Sequence, residues 1–241
     1  MKLASLVSYT FPFLLHLFYF CGVCSVLIGT LLAIRQRRLK RFIIYSSIAQ
    51  MGFPICALSA NSFLSMTGIY LFLLLYVITS ITLWTMYSIL FEFKLRIEKF
   101  RGVDPAPIYL TDLSNFAKIN PLWGFCFVIL FFSMAGIPPL AGFFAKILLI
   151  LSLIDSYRFF GSGLLVLISA ISVYYYLRVI KVVAFESKNL TNKQLPLFDT
   201  TELRLQLLVI IVGILLLVCF TLFPSTFFII CHTIVLCCYN F

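Results

Sequence analysis

Six uninterrupted apolar runs dominate the chain, at about 11–34, 42–60, 63–92, 121–153, 159–184 and 204–230, with a shorter amphiphilic tail after His232. About 20 apolar residues carry a helix across a bilayer core, so the pattern predicts about six membrane-spanning helices. With no water to satisfy backbone groups, only helices and closed barrels can cross. A barrel needs strands of about ten residues that alternate apolar and polar, whereas these runs are continuous and far longer. Residues 1–241 therefore read as one all-α integral membrane domain. Composition closes off the soluble alternative, with 63% of residues hydrophobic and 11% charged, against about 25% charged in soluble domains.

The formal net charge of +10 sits in particular connections. Residues 35–41 hold Arg35, Arg37, Arg38, Lys40 and Arg41 without an acid, and 93–120 and 185–203 are also rich in Lys and Arg. The turns at Ala60–Ser62 and Asp155–Arg158 are nearly neutral. Cations gather on one side of a membrane protein, so 35–41, 93–120 and 185–203 are expected on one face and both termini on the other. No basic stretch is interleaved with base-stacking aromatics, which excludes a nucleic-acid partner. The lipid bilayer is the expected surrounding.

The first run is too long for a cleaved signal, and no small-residue site precedes the basic stretch, so the chain is expected to begin inside its own architecture. The eight cysteines (Cys21, Cys24, Cys56, Cys126, Cys219, Cys231, Cys237, Cys238) lie almost entirely in apolar runs and are expected to be small core residues. Cys21 and Cys24 have metal-ligand spacing but no second pair, so no metal site is expected. Phosphate loops, nucleophile elbows and paired carboxylates are all missing from the sequence.

An ionisable group inside hydrocarbon is a functional candidate by default. Lys146 is the one charged residue between Ile119 and Ile154. About nine residues from Asp155, it lies roughly 13 Å from that helix end, near the middle of a core about 30 Å thick. Upstream stand Gly136, Pro138, Pro139 and Gly142. The prolines have no N–H, so the carbonyls of Met134 and Ala135 lose their helical partners, and Ile137 is pushed out of α geometry. The fourth helix is expected to break there. Lys146 shares a face with Pro139 and Gly142, and helical side chains lean toward the N-terminus. Its ammonium should lie across the bare Gly142 backbone and point at the freed carbonyls. The same depth arithmetic places Gln50, Thr79, Ser80, Ser169 and Ser172 near the midplane as a candidate polar layer. Singly, each of these is an interhelical hydrogen bond; together at the depth of Lys146 they suit a proton relay linked by water. His16, in the first run, is a further candidate. Arg178 and Lys181, following Tyr174, Tyr175 and Tyr176, read as an interfacial anchor.

Two stretches resemble the antiporter-like subunits of respiratory complex I. Lys40 to Phe53 is similar to their K-R-x-x-x-Y-S-S-I-x-H-M-G-Y signature, and Ser133 to Lys146 to their L-S-x-A-G-I-P-P-x-x-G-F-x-x-K broken helix. Ser172 to Ile180 resembles the S-x-Y-Y-Y-L-R-V motif of the subunit 2 branch, and a lysine at 146 also favours that branch. Gln50 stands where the family usually has His, which removes a titratable group there.

The resemblance implies the last six helices of a fourteen-helix fold, hence the C-terminal portion of a split subunit whose first eight helices lie elsewhere. It implies proton translocation in the mitochondrial inner membrane, with basic connections toward the matrix and both termini toward the intermembrane space. Lys146 would be the terminal lysine of a midmembrane axis. Flavin, iron–sulfur clusters and quinone would sit on other subunits, leaving no cofactor here. The implied partners are an N-terminal half, neighbouring antiporter-like subunits and small membrane subunits. The alternatives are a subunit of a related cation/proton antiporter or membrane-bound hydrogenase, or a structural half-subunit that does not pump.

Overall fold

The computed structural model describes residues 12–100, 108–114, 121–138, 140–185 and 203–240. Residues 1–11, most of the 93–120 connection beyond Phe100, the 186–202 segment and Pro139 lie outside them. The expected direction of the N-terminus and the basic residues at 101, 118, 188 and 193 therefore lie outside the described residues as well.

The elements are α1 (Pro12–Arg35), α2 (Leu39–Leu58), α3 (Phe63–Phe100), a 3-10 turn (Leu110–Leu113), α4 (Pro121–Ala135), α5 (Ala141–Asp155), α6 (Phe159–Ala184), α7 (Leu203–Leu222) and α8 (Pro224–Asn240). Among the described residues, five helical stretches are long and apolar enough to cross a membrane: Phe13–Arg35, Leu39–Leu58, Phe63–Glu92, Phe159–Ala184 and Leu205–Leu222. The broken pair α4 and α5 supplies one more crossing.

Two boundaries differ from the sequence expectation. Lys40 and Arg41 belong to the first turn of α2, and α3 continues to Phe100, because a helix leaving hydrocarbon keeps its own hydrogen bonds in water. The sixth run divides at Phe223. Pro224 has no N–H to offer the Phe220 carbonyl and restricts the residue before it. α8 carries on in the direction of α7: Gln206 meets Glu92, Gly213 abuts Thr82, and His232 packs edge-on against Phe63, three contacts that step along α3 in one sense. The tail after His232 is the end of α8.

α3 is the central post, packing against α2, α4, α5, α7 and α8. Its start is set by a reciprocal cap, in which Ser62 Oγ accepts from the Ser65 N–H and Ser65 Oγ from the Ser62 N–H, each at 3.1 Å. At the basic face, the α1–α2 connection pairs with the segment before the 3-10 turn. Leu39 N–H donates to Ile108 O at 3.0 Å and Leu110 N–H to Arg37 O at 2.9 Å. Arg178, at the far end of α6, donates to Ile34 O. Two of the three connections expected on one face, 35–41 and 93–120, therefore meet there, and 186–202 of the third lies outside the described residues.

α1 and α2 form a tight antiparallel hairpin along a seam of small residues. A Cβ at Gly29 would stand 2.6 Å from the Ala49 backbone nitrogen, and one at Gly22 2.6 Å from that of Cys56. Gly52 faces Ser25 and Val26. Between helices in lipid, such close backbone approach replaces the hydrophobic effect as the source of association. The cysteines divide: Cys56 and Cys231 are buried as expected, whereas Cys21, Cys24 and Cys237 lie on outward faces, because an apolar membrane helix can direct small apolar residues at lipid as readily as at the core.

Gly29→Ala is expected to lower stability by about 1–3 kcal/mol, since the neighbouring group is backbone and cannot step aside. Gly163→Ala, where a Cβ meets nothing within 4 Å, should be neutral or slightly stabilising through helix propensity. Thermal unfolding of the two variants in the same detergent checks this; equal midpoints would show that the seam can open freely.

Candidate functional site

The break between α4 and α5 builds the site. After Ala135 the chain turns through Gly136, whose φ of 76° is a left-handed conformation that glycine adopts at little cost. The Gly136 N–H still reaches Phe132 O and Ser133 O at 3.2 Å, and Ile137 N–H reaches Phe132 O at 3.4 Å. Among the described residues, no backbone N–H replaces the donors that Pro138 and Pro139 lack. Met134 O and Ala135 O are instead taken by Lys146 Nζ, at 2.8 and 3.1 Å. Pro138 is exposed; the expectation for Pro139 lies outside the described residues.

Both glycines are required by close approach, in exchanged roles. A Cβ at Gly136 would stand 3.0 Å from Lys146 Cδ and 3.3 Å from Nζ, so the lysine stem lies across Gly136. Gly142, expected to underlie the lysine, stands against the Ser133 carbonyl, which a Cβ would overlap. The two half-helices overlap in depth at this point, and Ser133 fills the space one turn before Lys146.

Lys146 is 4% exposed, with Nζ 5.4 Å from the centre of the Phe53 ring, a cation–π contact. No carboxylate among the described residues pairs with it. Met134 O accepts a second bond, from Gln50 Nε2 at 2.9 Å, and the same nitrogen donates to Tyr176 Oη at 3.3 Å. Beside Lys146 is a cavity of about 30 Å³ whose polar lining is Gln50, Tyr76, Thr79, Ser133 and Lys146. Roughly 10–15 Å³ holds one water, so the cavity has room for water beside Lys146, although Phe72, Leu75 and Ala145 make most of its wall apolar.

Of the expected polar layer, the fold brings Gln50 and Thr79 to Lys146 and leaves the others apart. Ser80 is half-buried one position round α3, its hydroxyl turned back to Val77 O. Ser169 and Ser172 lie on α6, where Ser172 is buried but bonds Ser169 O, and Ser169 bonds Val166 O. His16 is on the exposed side of α1, away from the break. Tyr76, Tyr176 and Ser133 belong to the site and were missed. Tyr175 and Tyr176 are fully buried, and only Tyr174 of the three faces outward. They therefore do not form the interfacial belt expected of tyrosines beside Arg178 and Lys181. Tyr176 packs with Phe42 and Phe131 instead. The signal that could have found Tyr176 is its helical offset of one turn from Ser172, a position already placed near the midplane.

Residues 1–189 match the family described as NADH:quinone oxidoreductase/Mrp antiporter, TM. NADH-quinone oxidoreductase subunit N 1 of Rhizobium meliloti (strain 1021) is 40% identical over 168 residues, which cover 69% of this chain and 33% of that protein. NADH-ubiquinone oxidoreductase chain 2 of Marchantia polymorpha is 29% identical over 222 residues, covering 92% of this chain and 42% of its own. The chain thus spans about a third to two fifths of the length of these relatives. In fold it is similar to a chain of respiratory complex I from Thermus thermophilus, with a TM-score of 0.69 at 24% identity over 88% of this chain and 44% of that one. It is also similar to a chain of the Mrp complex of Dietzia sp. DQ12-45-1b, with a TM-score of 0.74 at 19% identity over 92% and 46%. The chain belongs to the NADH:quinone oxidoreductase/Mrp antiporter family of membrane subunits.

Proposed function

We propose that this chain is the C-terminal part of subunit 2 in the membrane arm of a proton-pumping NADH:ubiquinone oxidoreductase, and that Lys146 carries protons within it. The observation that supports this most directly is a buried lysine held by two carbonyls at a helix break beside a small cavity, with no carboxylate paired to it among the described residues. A cation fixed there only for packing would be costly without a counter-charge. An amine that takes a proton from cavity water, holds it against Met134 O and Ala135 O, and returns it to water suits that setting. The names of the similar proteins favour the oxidoreductase over an antiporter complex. Electron transfer is left to flavin, iron–sulfur and quinone sites on other subunits.

The same proposal places the chain in the mitochondrial inner membrane, with the basic connections toward the matrix and both termini toward the intermembrane space. A separate N-terminal half, neighbouring antiporter-like subunits and small membrane subunits would complete the arm. The half-exposed hydroxyls of α3 and the outward face of α1 are the surfaces available to such partners.

In the assembled complex, Lys146→Met, which keeps the length and removes the charge, should lower proton pumping per NADH oxidised by about tenfold or more. Lys146→Arg should restore little, because a guanidinium does not release its proton. Pumping at the parent stoichiometry in Lys146→Met would overturn the relay assignment. The chain expressed with a candidate eight-span partner should be protected from membrane proteases and long-lived, and expressed alone it should turn over faster. Equal lifetimes would show that its helices need no second half.

A further inference from the structure

Gln50 cannot relay a proton near neutral pH, since an amide does not titrate there, yet it shares an acceptor with Lys146. Met134 O offers two lone pairs, one to Lys146 Nζ at 2.8 Å and one to Gln50 Nε2 at 2.9 Å. The second Nε2 hydrogen goes to Tyr176 Oη. Turned over, the amide would set its oxygen against a carbonyl oxygen, so the partners fix which atom is nitrogen. Tyr176 accepts from Gln50 and therefore has its own proton to give. Ser46 lies beside it, and Ser46 gives its proton to Ile43 O at 2.8 Å, leaving its lone pairs for the tyrosine. Two acceptors thus lie against the Tyr176 hydroxyl, Ser46 Oγ and the adjacent Tyr175 Oη, and either leaves the Gln50 N–H as the donor to Tyr176. Tyr176 itself is immobilised, 0% exposed between Phe42, Phe131 and Tyr175.

The geometry points to Tyr176 as a positioning residue that acts through Gln50: it locks the amide so that one N–H stays on Met134 O throughout the cycle and Lys146 never holds that carbonyl alone. This rests on Lys146 being the proton carrier. The carbonyl stays satisfied when the lysine is neutral, and the ammonium meets a competitor when it is charged. The other groups facing Lys146 are Tyr76 and Thr79 from α3 and Ser133 from α4, with Phe53 from α2; α7 meets α5 through Phe220 against Phe144. Tyr76 is the titratable one of these, and it also acts electrostatically on Tyr176.

The test is the pH profile of coupled proton pumping in the assembled complex. Tyr176→Phe removes a single oxygen and keeps the ring packing. Gln50→Met keeps the length and removes the amide. Each should let Lys146 take Met134 O undivided and move the alkaline half-point of the profile upward by about 0.5–1 pH unit, the shift of one net hydrogen bond. The double variant should match Gln50→Met alone, because Tyr176 acts only through Gln50. Ser169→Ala, outside this chain of bonds, should leave the profile in place. If Gln50→Met does not assemble, the single Tyr176→Phe shift still decides. An unmoved Tyr176→Phe profile, or additive shifts in the double variant, would overturn the proposal. Pumping that survives Lys146→Met would overturn the underlying function instead, so the two failures are distinct.

Discussion

A carbonyl in hydrocarbon must find a donor, because an unsatisfied one costs several kcal/mol there. Pro138 and Pro139 create two such carbonyls in the middle of a bundle, and much of the surrounding structure follows from that. The donors must come from side chains; they must be long enough to reach; and the backbone beside them must be bare. Lys146 is the reach, Gly136 the bare backbone and Gly142 the space for the half-helices to overlap. Gln50 enters because two acceptor positions on Met134 O need more than one donor.

The surrounding helices keep this arrangement rigid. α3 contacts most of the bundle, and its side chains close the cavity from one side. The aromatic cluster of Phe42, Phe127, Phe131, Tyr175 and Tyr176 fills the junction of α2, α4 and α6. Such rings bring large buried area with few rotatable bonds. The Lys94–Asp112 pair at 2.7 Å is solvated and contributes little by comparison. Stability here rests on close backbone approach and on satisfied polar groups.

The break, the freed carbonyls and the approach of Lys146 were legible in the sequence, because proline chemistry and helical spacing are local facts. What depends on helix rotation was not. Thr79 and Ser80 have the same depth, yet one faces the cavity and the other does not, since a single step turns a side chain by about 100°. Tyr175 and Tyr176 were obscured by their setting: three tyrosines before two cations look like an interfacial belt, and only the packing against Phe42 reveals otherwise. Pro224 lies inside the apolar run 204–230, and continuous apolarity marks what lies in the membrane and says nothing of where a helix divides.

The short turn between α1 and α2 bears on how the two helices are held. Five cations lie in or beside Gln36–Arg38, and taking each to the bilayer centre costs roughly 2.5–3.5 kcal/mol. Neither helix can carry that turn across, so it stays on one face, and a turn this short holds the two helices side by side. Gly22, Gly29 and Gly52 at their contact are what let two helices tethered so closely lie backbone to backbone.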